Sequence, residues 1–539
     1  MNYSSKFEQK SSIDTGNGAM HSAAPSSPRG EHPGVGPEVL EMLSAEHSRH
    51  SLSIGRAVMP HGSASRDPLR FYAREGGDPL TEAFDGKISV HPGMGGIPVT
   101  GAAVSAMLEG LSRQSRAGKK LVYIHVPFCE IRCLYCSFFQ KAYSSELGAA
   151  YTDMLIRELS LWKGREAQDA DPVNAVYLGG GTPTALAPKD LSRLLAALHE
   201  FLPLSNDCEI TLEGRTSDLV PERIEAALAG GVNRFSLGVQ TFDTKIRRSM
   251  GRRASREELA EHIRLLQSYR QAAVVVDLIY GLPRQSMDIW LQDLATAREL
   301  NLDGMDCYQL GVHRNSPLAK AIAAGKMPPA ADTVQLGQMF AEASRVLENA
   351  HYRRLSIEHW GRTPHERNIY NIYTKSGASC LGFGPGAGGL LNGCMTYNTR
   401  DYDAWRAQVE EGRKPVAMLL APVALSALNK ALTESLEQGY IDVPMLEKLC
   451  VEHEYATLSG KGELAALVAP LLDQWRGAGL LEKRDSFYSL TLAGQFWYVN
   501  LNQLLIEYIE ECAGAQGAPR SGMPHSGASH PGVGHPARC

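Results

Sequence analysis

Three cysteines, Cys129, Cys133 and Cys136, stand close together in the run "YIHVPFCEIRCLYCSFFQ" from Tyr123 to Gln140. Their spacing brings three sulfur donors to one short loop, where thiolates are the form that binds metal. A structural zinc ion takes four protein ligands, and no second CxxC or HxxxH pair stands at a suitable offset, although His125 or a distant residue could complete such a site. A cubane iron–sulfur cluster has four irons, so three cysteines leave one iron open to a substrate or cofactor. Three unrelated buried cysteines are the remaining reading, and their crowding into one aromatic-flanked loop speaks against it.

The elements that must position these sulfurs are legible from periodicity. Apolar runs of strand length occur at "LVYIHV" (121–126), "NAVYLG" (174–179), "CEITLE" (208–213), "RFSLGV" (234–239), "AVVVDLI" (273–279) and "GMDCYQL" (304–310). Helical periodicity follows most of them, as in "GAAYTDMLIRELSLW", "DLSRLLAALHEFL", "PERIEAALAGG", "REELAEHIRLLQSY" and "IWLQDLATARELN". Repeated strand–helix units imply an α/β fold with a parallel sheet, either doubly wound or a partial (β/α)6 barrel. The polar residues cluster at one edge. The cysteines follow the first strand, "GGGTPT" (179–184) the second, Glu213 ends the third, Gln240 the fourth, and Asp277 lies near the end of the fifth. In such sheets the carboxyl ends are where loops converge on one site.

Composition sets the frame. The chain has 539 residues, 43% hydrophobic and 21% charged, with a formal net charge of -5. These values are globular and argue against nucleic acid as a partner. Ten cysteines are too sparse for a disulfide scaffold, which favours a reducing cytoplasm. Neither a secretory signal nor an apolar run long enough to span a bilayer is visible, so no membrane partner is expected. Both ends are rich in Ser, Gly, Pro and His and read as disordered. HPG-x-G pentapeptides at His32, His91 and His530 read as flexible linker, with transient metal or heme binding by the His-rich tail and Cys539 as the other reading.

"CEIRCLYC" resembles the CxxxCxxC signature of radical S-adenosylmethionine (SAM) enzymes. "YIHVPFC", "VYLGGGTPT", "EITLEGR", "GVNRFSLGVQTFD" and "VDLIYGLPRQ", in that order, narrow the resemblance to the HemN-like branch. "LEGRTSDLVPERI", "HWGRTPHERNIYN" (359–371), "CLGFGPGAGGLLNG" (380–393) and "RDPLRFYAREGGDPLTEAF" are similar to the ChuW/HutW group of anaerobic heme-degradation methyltransferases. The resemblance covers roughly residues 60–505. It implies a partial (β/α)6 radical SAM barrel, a 4Fe-4S cluster held by Cys129, Cys133 and Cys136, and SAM at two molecules per active site. It further implies that Tyr123, Tyr135, Gly180, Gly181, Thr182, Glu213, Gln240, Arg252, Asp277 and Gly311 contact one or other SAM. The loop Gly384 to Gly388 falls near the second.

The reaction so implied is reductive opening of heme with methyl transfer from SAM, giving a linear tetrapyrrole and free iron. Partners would be heme, a low-potential donor such as flavodoxin, and a heme-delivery or tetrapyrrole-accepting protein. His359, beside Trp360 with Arg362 and Arg367 nearby, offers an imidazole, a stacking face and propionate partners. His125 reads as a group that orients others. The pattern of oxygen-independent coproporphyrinogen dehydrogenase has a fourth cysteine where this chain has Phe138, which counts against that activity. HemW-like heme chaperones lack that cysteine too and supply the alternative function.

Six segments are expected: a disordered tail (1–55), an extension (56–118), the barrel core (119–315), a barrel extension with the substrate region (316–415), a mainly helical, winged-helix-like domain (416–513) and a disordered tail (514–539). The fifth, lacking a dense basic stripe, reads as a substrate cover.

Overall fold

The protein is described by a computed structural model over residues 68–513, apart from 89–94, 117, 137–138, 456–457, 459 and 461. The two expected tails, His32, His91, His530, Cys539 and Phe138 lie outside the described residues.

The six expected strands form and lie side by side in chain order. They are β1 (Lys120–Val126), β2 (Val173–Gly180), β3 (Leu204–Gly214), β4 (Arg234–Gln240), β5 (Ala273–Tyr280) and β6 (Gly304–Gln309), all parallel. Their sequences read as near-continuous apolar runs because both faces are covered, and every residue of β5 is buried. Alternation still divides the faces. Val122, Ile124, Val176 and Leu178 join the large core with the helix residues Leu155, Leu191 and Leu194, whereas Tyr123 and Tyr177 point to the other side.

The connecting helices are α1 (Ser145–Ser160), α2 (Pro188–Phe201), α3 (Pro221–Ala229), α4 (Thr244–Ser249), α5 (Arg256–Ser268) and α6 (Met287–Glu299). Their starts follow local chemistry. The Ser144 hydroxyl accepts from Leu147 N–H, Pro188 and Pro221 occupy first turns, and Ser255 with Glu258 forms a reciprocal cap.

The sheet continues past both ends of this array. After α7 (Pro317–Ala323) and α8 (Thr333–Asn349) come the short strands β7 (Arg353–Arg354) and β8 (His359–Gly361); β8 adds antiparallel to β6, and β7 adds antiparallel to β8. On the other side β9 (Ser379–Phe383) pairs parallel with β1, followed by the antiparallel strands β10 (Gly388–Leu391), β11 (Cys394–Asn398) and β12 (Val416–Ala421), with Ile97–Val99 at the edge. Among the described residues the sheet has two free edges and does not close. α9 (Ile369–Lys375) lies on its inner face, where the Tyr370 ring stacks on Tyr177 with centroids 4.5 Å apart. Below the tyrosines Arg234 donates from Nε and Nη2 to Glu366, both buried.

The last region runs α10 (Ser426–Glu437), β13 (Tyr440–Asp442), α11 (Val443–Glu452), α12 (Glu463–Gly477), β14 (Leu481–Arg484) and β15 (Phe487–Leu490), with β15 central in a three-stranded antiparallel sheet. This is the winged-helix order. The region docks on the β7–β8 connection, where Ile357 N–H donates to the Glu437 carbonyl at 2.9 Å, and on the end of α9, where Lys430 Nζ donates to the Gly377 carbonyl. It thus packs against a side of the sheet, and none of its residues borders the cavity described next. No described helix is long and apolar enough to cross a membrane.

Candidate functional site

The cysteine loop is fixed by bonds from segments that follow four different strands. Leu134 N–H donates to the Met250 carbonyl at 3.1 Å, Leu318 N–H to the Leu134 carbonyl at 2.9 Å, and the Arg215 guanidinium to the Ile131 carbonyl. Thr182 Oγ1 donates to Cys129 Sγ at 3.3 Å. Burial pushes the Cys129 thiol up, and the Thr182 bond opposes it. All three cysteines border one cavity, and among the described residues no set of His, Cys, Asp and Glu converges on a single ion.

Seven further expected residues border the same cavity: Tyr135, Gly181, Thr182, Glu213, Gln240, Arg252 and Asp277. The glycine loop reaches it by close approach. A Cβ on Gly181 would lie 2.3 Å from the Phe128 carbonyl oxygen, and Gly180, at φ +106°, lies under the His125 ring. Glu213 accepts from the Tyr177 hydroxyl at 2.6 Å and from Gly180 N–H at 3.1 Å, yet burial pushes it up to about 7. Asp277 accepts from Ser236 Oγ at 3.2 Å. Burial, then the Asp306 and Glu213 charges, push Asp277 well above the usual carboxylate range.

Gln240 stands at a bulge between β4 and β5 with φ +71°, and its amide nitrogen and oxygen are both buried without a partner. Each such atom costs about 1–3 kcal/mol, so a ligand in the cavity that pairs them recovers that cost. Asp293 fixes the turn just beyond, accepting from Phe242 N–H at 2.6 Å and Thr241 Oγ1 at 2.8 Å. Arg252 donates to the Tyr135 hydroxyl at 2.8 Å and to the Gly238 carbonyl.

Other expected residues lie off the cavity. Tyr123 is buried in the tyrosine stack and meets the site through a 3.0 Å bond shared with His125 Nδ1. The His125 ring also accepts from Gln140 Nε2 at 3.0 Å, and burial followed by the Arg400 charge lowers its pKa to about 3, leaving it neutral. Gly384 backs this histidine, since a Cβ there would lie 2.4 Å from the His125 carbonyl. Gly311 stands just past β6 and does not border the cavity.

His359 is buried one row inward. Register sets Asp277 beside Asp306 and Asp306 beside His359, whose Nδ1 lies 3.0 Å from Asp306 Oδ1. Its neighbours require a correction. β8 runs antiparallel to β6, so the chain after His359 heads for the amino-terminal ends of the parallel strands. Arg362 donates there to the Asn301 and Leu302 carbonyls and borders a separate cavity of about 430 Å³, while Arg367 donates to the Asp207 carbonyl. Trp360 is buried with Arg354 stacked 4.2 Å from its ring centre. None of these three is available to a ligand in the cysteine-lined cavity.

Arg132, Phe139, Arg215, Ser236 and Gly238 also line that cavity and were not expected. Strand alternation carries the signal for two of them, since Ser236 and Gly238 share the inward parity of Gln240 in "RFSLGVQ". Arg215 directly follows "EITLEG", where only the fold shows that it turns back.

Residues 123–296 match the model of the radical SAM superfamily. Anaerobilin synthase of Escherichia coli O157:H7 is 38% identical over 442 residues, covering 81% of this chain and 95% of that protein. Heme chaperone HemW of Lactococcus lactis is 29% identical over 51% of this chain and 71% of that protein. Among solved structures, coproporphyrinogen III oxidase (HemN) from Escherichia coli, a radical SAM enzyme, superposes with a TM-score of 0.65 at 21% identity, covering 78% of this chain and 97% of that one, which shows a common fold. The cysteine loop, the parallel array that carries it and the match along nearly the whole of a known relative lead to one conclusion: the chain is a radical SAM enzyme, of the family to which anaerobilin synthase belongs, using a 4Fe-4S cluster and SAM.

Proposed function

We propose that this protein opens the heme macrocycle reductively in the absence of oxygen, moving a methyl group from SAM to a ring carbon and releasing iron from a linear tetrapyrrole. The observation that carries the reading is the 38% identity to anaerobilin synthase along 95% of that protein's length. The cavity fits the cofactors: three sulfurs on its wall, a glycine cradle with no room for a side chain, and a buried amide without partners. When bound, the cluster supplies an electron and SAM supplies the carbon radical and the methyl group.

The residues of the chain take the remaining tasks. Cys129, Cys133 and Cys136 ligate the cluster as thiolates. Gly180, Gly181 and Thr182 cradle SAM by backbone contact, the Gln240 amide gains its missing partners from it, and Arg252 pairs with its carboxylate. Glu213 and Asp277, their ionisation opposed by burial, hydrogen-bond neutral polar groups. Tyr123 and His125 hold the glycine loop from behind, and Gly311 and the Gly384–Gly388 loop are the residues assigned to a second SAM. His359 acts through Asp306 on Asp277. Heme comes from a delivery protein or from solution, an acceptor takes the tetrapyrrole, and the reductant is a low-potential carrier of the cytoplasm. Of the segment 416–513, residues 416–421 belong to the large sheet, and those from Ser426 onward form a module that packs on the side of the barrel.

The similarity to HemW favours a second reading, a carrier that returns heme intact. Anaerobic incubation of reconstituted protein with heme, methyl-deuterated SAM and reduced flavodoxin, followed by mass spectrometry, separates the two. The expected product is a ring-opened tetrapyrrole bearing the deuterated methyl group, absent with Cys133→Ala. Recovery of unmodified heme from protein with a full cluster would overturn the enzyme reading in favour of the carrier.

A further inference from the structure

Cations rim the outer side of the cysteine loop. Arg132 lies within it, Lys245 and Arg248 on α4, Arg253 in the turn after α4, and Arg314 beyond β6, and all five are exposed. Backbone contacts bring these segments together. The Leu134 N–H to Met250 carbonyl bond ties the loop to the end of α4, and a Cβ on Gly251 would stand 3.4 Å from the Arg132 carbonyl. The Leu318 N–H to Leu134 carbonyl bond brings up the segment that follows Arg314. Among the described residues none of the five is in an ion pair, and Arg132 lies over the Phe139 ring at 5.6 Å. Two carboxylates face them. Glu130 is exposed in the same loop, and Glu258, which feels the Arg248 charge, is engaged in capping α5.

A positive rim on a chain of net charge -5 is a local feature and not a consequence of composition. Such a rim steers an oppositely charged partner and sets how it docks. The cations spread over three chain segments, more surface than a small anion spans. Inside the cavity the cations are Arg215 and Arg252, and of the rim residues only Arg132 also borders it.

We infer that this rim is the docking surface for an acidic one-electron carrier protein, which delivers its electron to the cluster behind Cys133 and Cys136. The inference rests on the radical SAM activity proposed above and names where its reductant binds. In the step the carrier is oxidised by one electron and the cluster reduced by one, with no bond made or broken in the protein.

The test uses full-length, cluster-loaded protein without heme and follows bleaching of the cluster's visible absorbance by stopped flow. Two reductants are compared: reduced flavodoxin, an acidic protein, and reduced methyl viologen, a small cation. In wild type the flavodoxin rate should fall with added potassium chloride. In Arg248→Glu/Arg253→Glu it should fall roughly tenfold at low salt and lose that salt dependence, while the viologen rate is unchanged or faster. An unchanged flavodoxin rate overturns the inference. Should both reductants slow, Lys245→Glu/Arg314→Glu decides by the same criteria. Because no heme is present, absence of a tetrapyrrole product in the turnover assay would sink the proposed reaction and leave this result readable.

Discussion

Glu158 and Gln240 are both buried polar side chains near loops of the site, and the protein answers them in opposite ways. The Glu158 carboxylate on α1 accepts from Gly384 N–H at 2.8 Å, Asn398 Nδ2 at 3.0 Å, Trp405 Nε1 at 2.8 Å and Lys414 Nζ at 2.9 Å. The Gln240 amide has no bond at either atom. Around Glu158 every donor is spent on joining α1 to the glycine loop and the outer strands. Around Gln240 a polar group has been left open at the mouth of the barrel. Buried polar groups in native proteins are nearly always paired, so the first region is a structural clamp and the second a place completed by a ligand.

Removing the clamp should produce the largest effect on stability. Glu158→Ala leaves the buried Lys414 ammonium, the Gly384 N–H and the Trp405 indole N–H without this acceptor, while Asn398 Nδ2 keeps the Gly384 carbonyl, and should lower the unfolding free energy by about 3–5 kcal/mol. Chemical denaturation of the apo protein measures this, and a loss below about 1 kcal/mol would mean that the loops hold without it.

A smaller, pH-dependent effect belongs to Glu213. The unfolded chain gives up this proton near 4.5, whereas the folded chain keeps it to about 7, so between these values the folded state binds the extra proton. Its contribution to stability therefore falls as pH rises through that window, by up to about 3 kcal/mol. Glu213→Gln removes the term, so the apo variant should gain in melting temperature over wild type as pH goes from about 4.5 to about 7. Parallel melting curves for the two proteins across that range would refute it. Asp277, raised in the same direction partly by the Glu213 charge, loses that part in the variant, which shifts the difference in the same sense.

The smallest effect is expected at Arg362. Arg362→Ala removes bonds to the Asn301 and Leu302 carbonyls far from the cysteines, at a cost of about 1 kcal/mol, with SAM affinity and turnover within about twofold of wild type. A large loss of turnover with normal stability would restore it to the substrate site.

The contrast also explains what could be read in advance. The six parallel strands and the cysteine loop were legible because apolar runs and a dense sulfur cluster are local signals. The polar residues at strand ends were legible because the carboxyl edge gathers loops from many strands. Arg362 and Arg367 misled because a two-strand reversal at β7 and β8 separates by a sheet's height what is adjacent in "HWGRTPHERN". The His359–Asp306 pair needs strand register to be seen. Glu158 reads in "MLIRELSLW" as one more helix carboxylate, because its four donors come from segments more than two hundred residues away. Clamps of this kind are long-range by construction, whereas the open groups of the site sit on motifs.

The most direct test of the contrast is the dissociation constant of SAM for cluster-loaded Gln240→Ala, measured anaerobically by equilibrium dialysis beside the denaturation midpoint of the same variant without cofactor. Removing two unsatisfied atoms should leave the apo protein as stable as wild type or more so, while SAM binding weakens roughly tenfold, the worth of one buried hydrogen bond. Loss of apo stability with unchanged SAM affinity would make Gln240 another clamp and contradict the account.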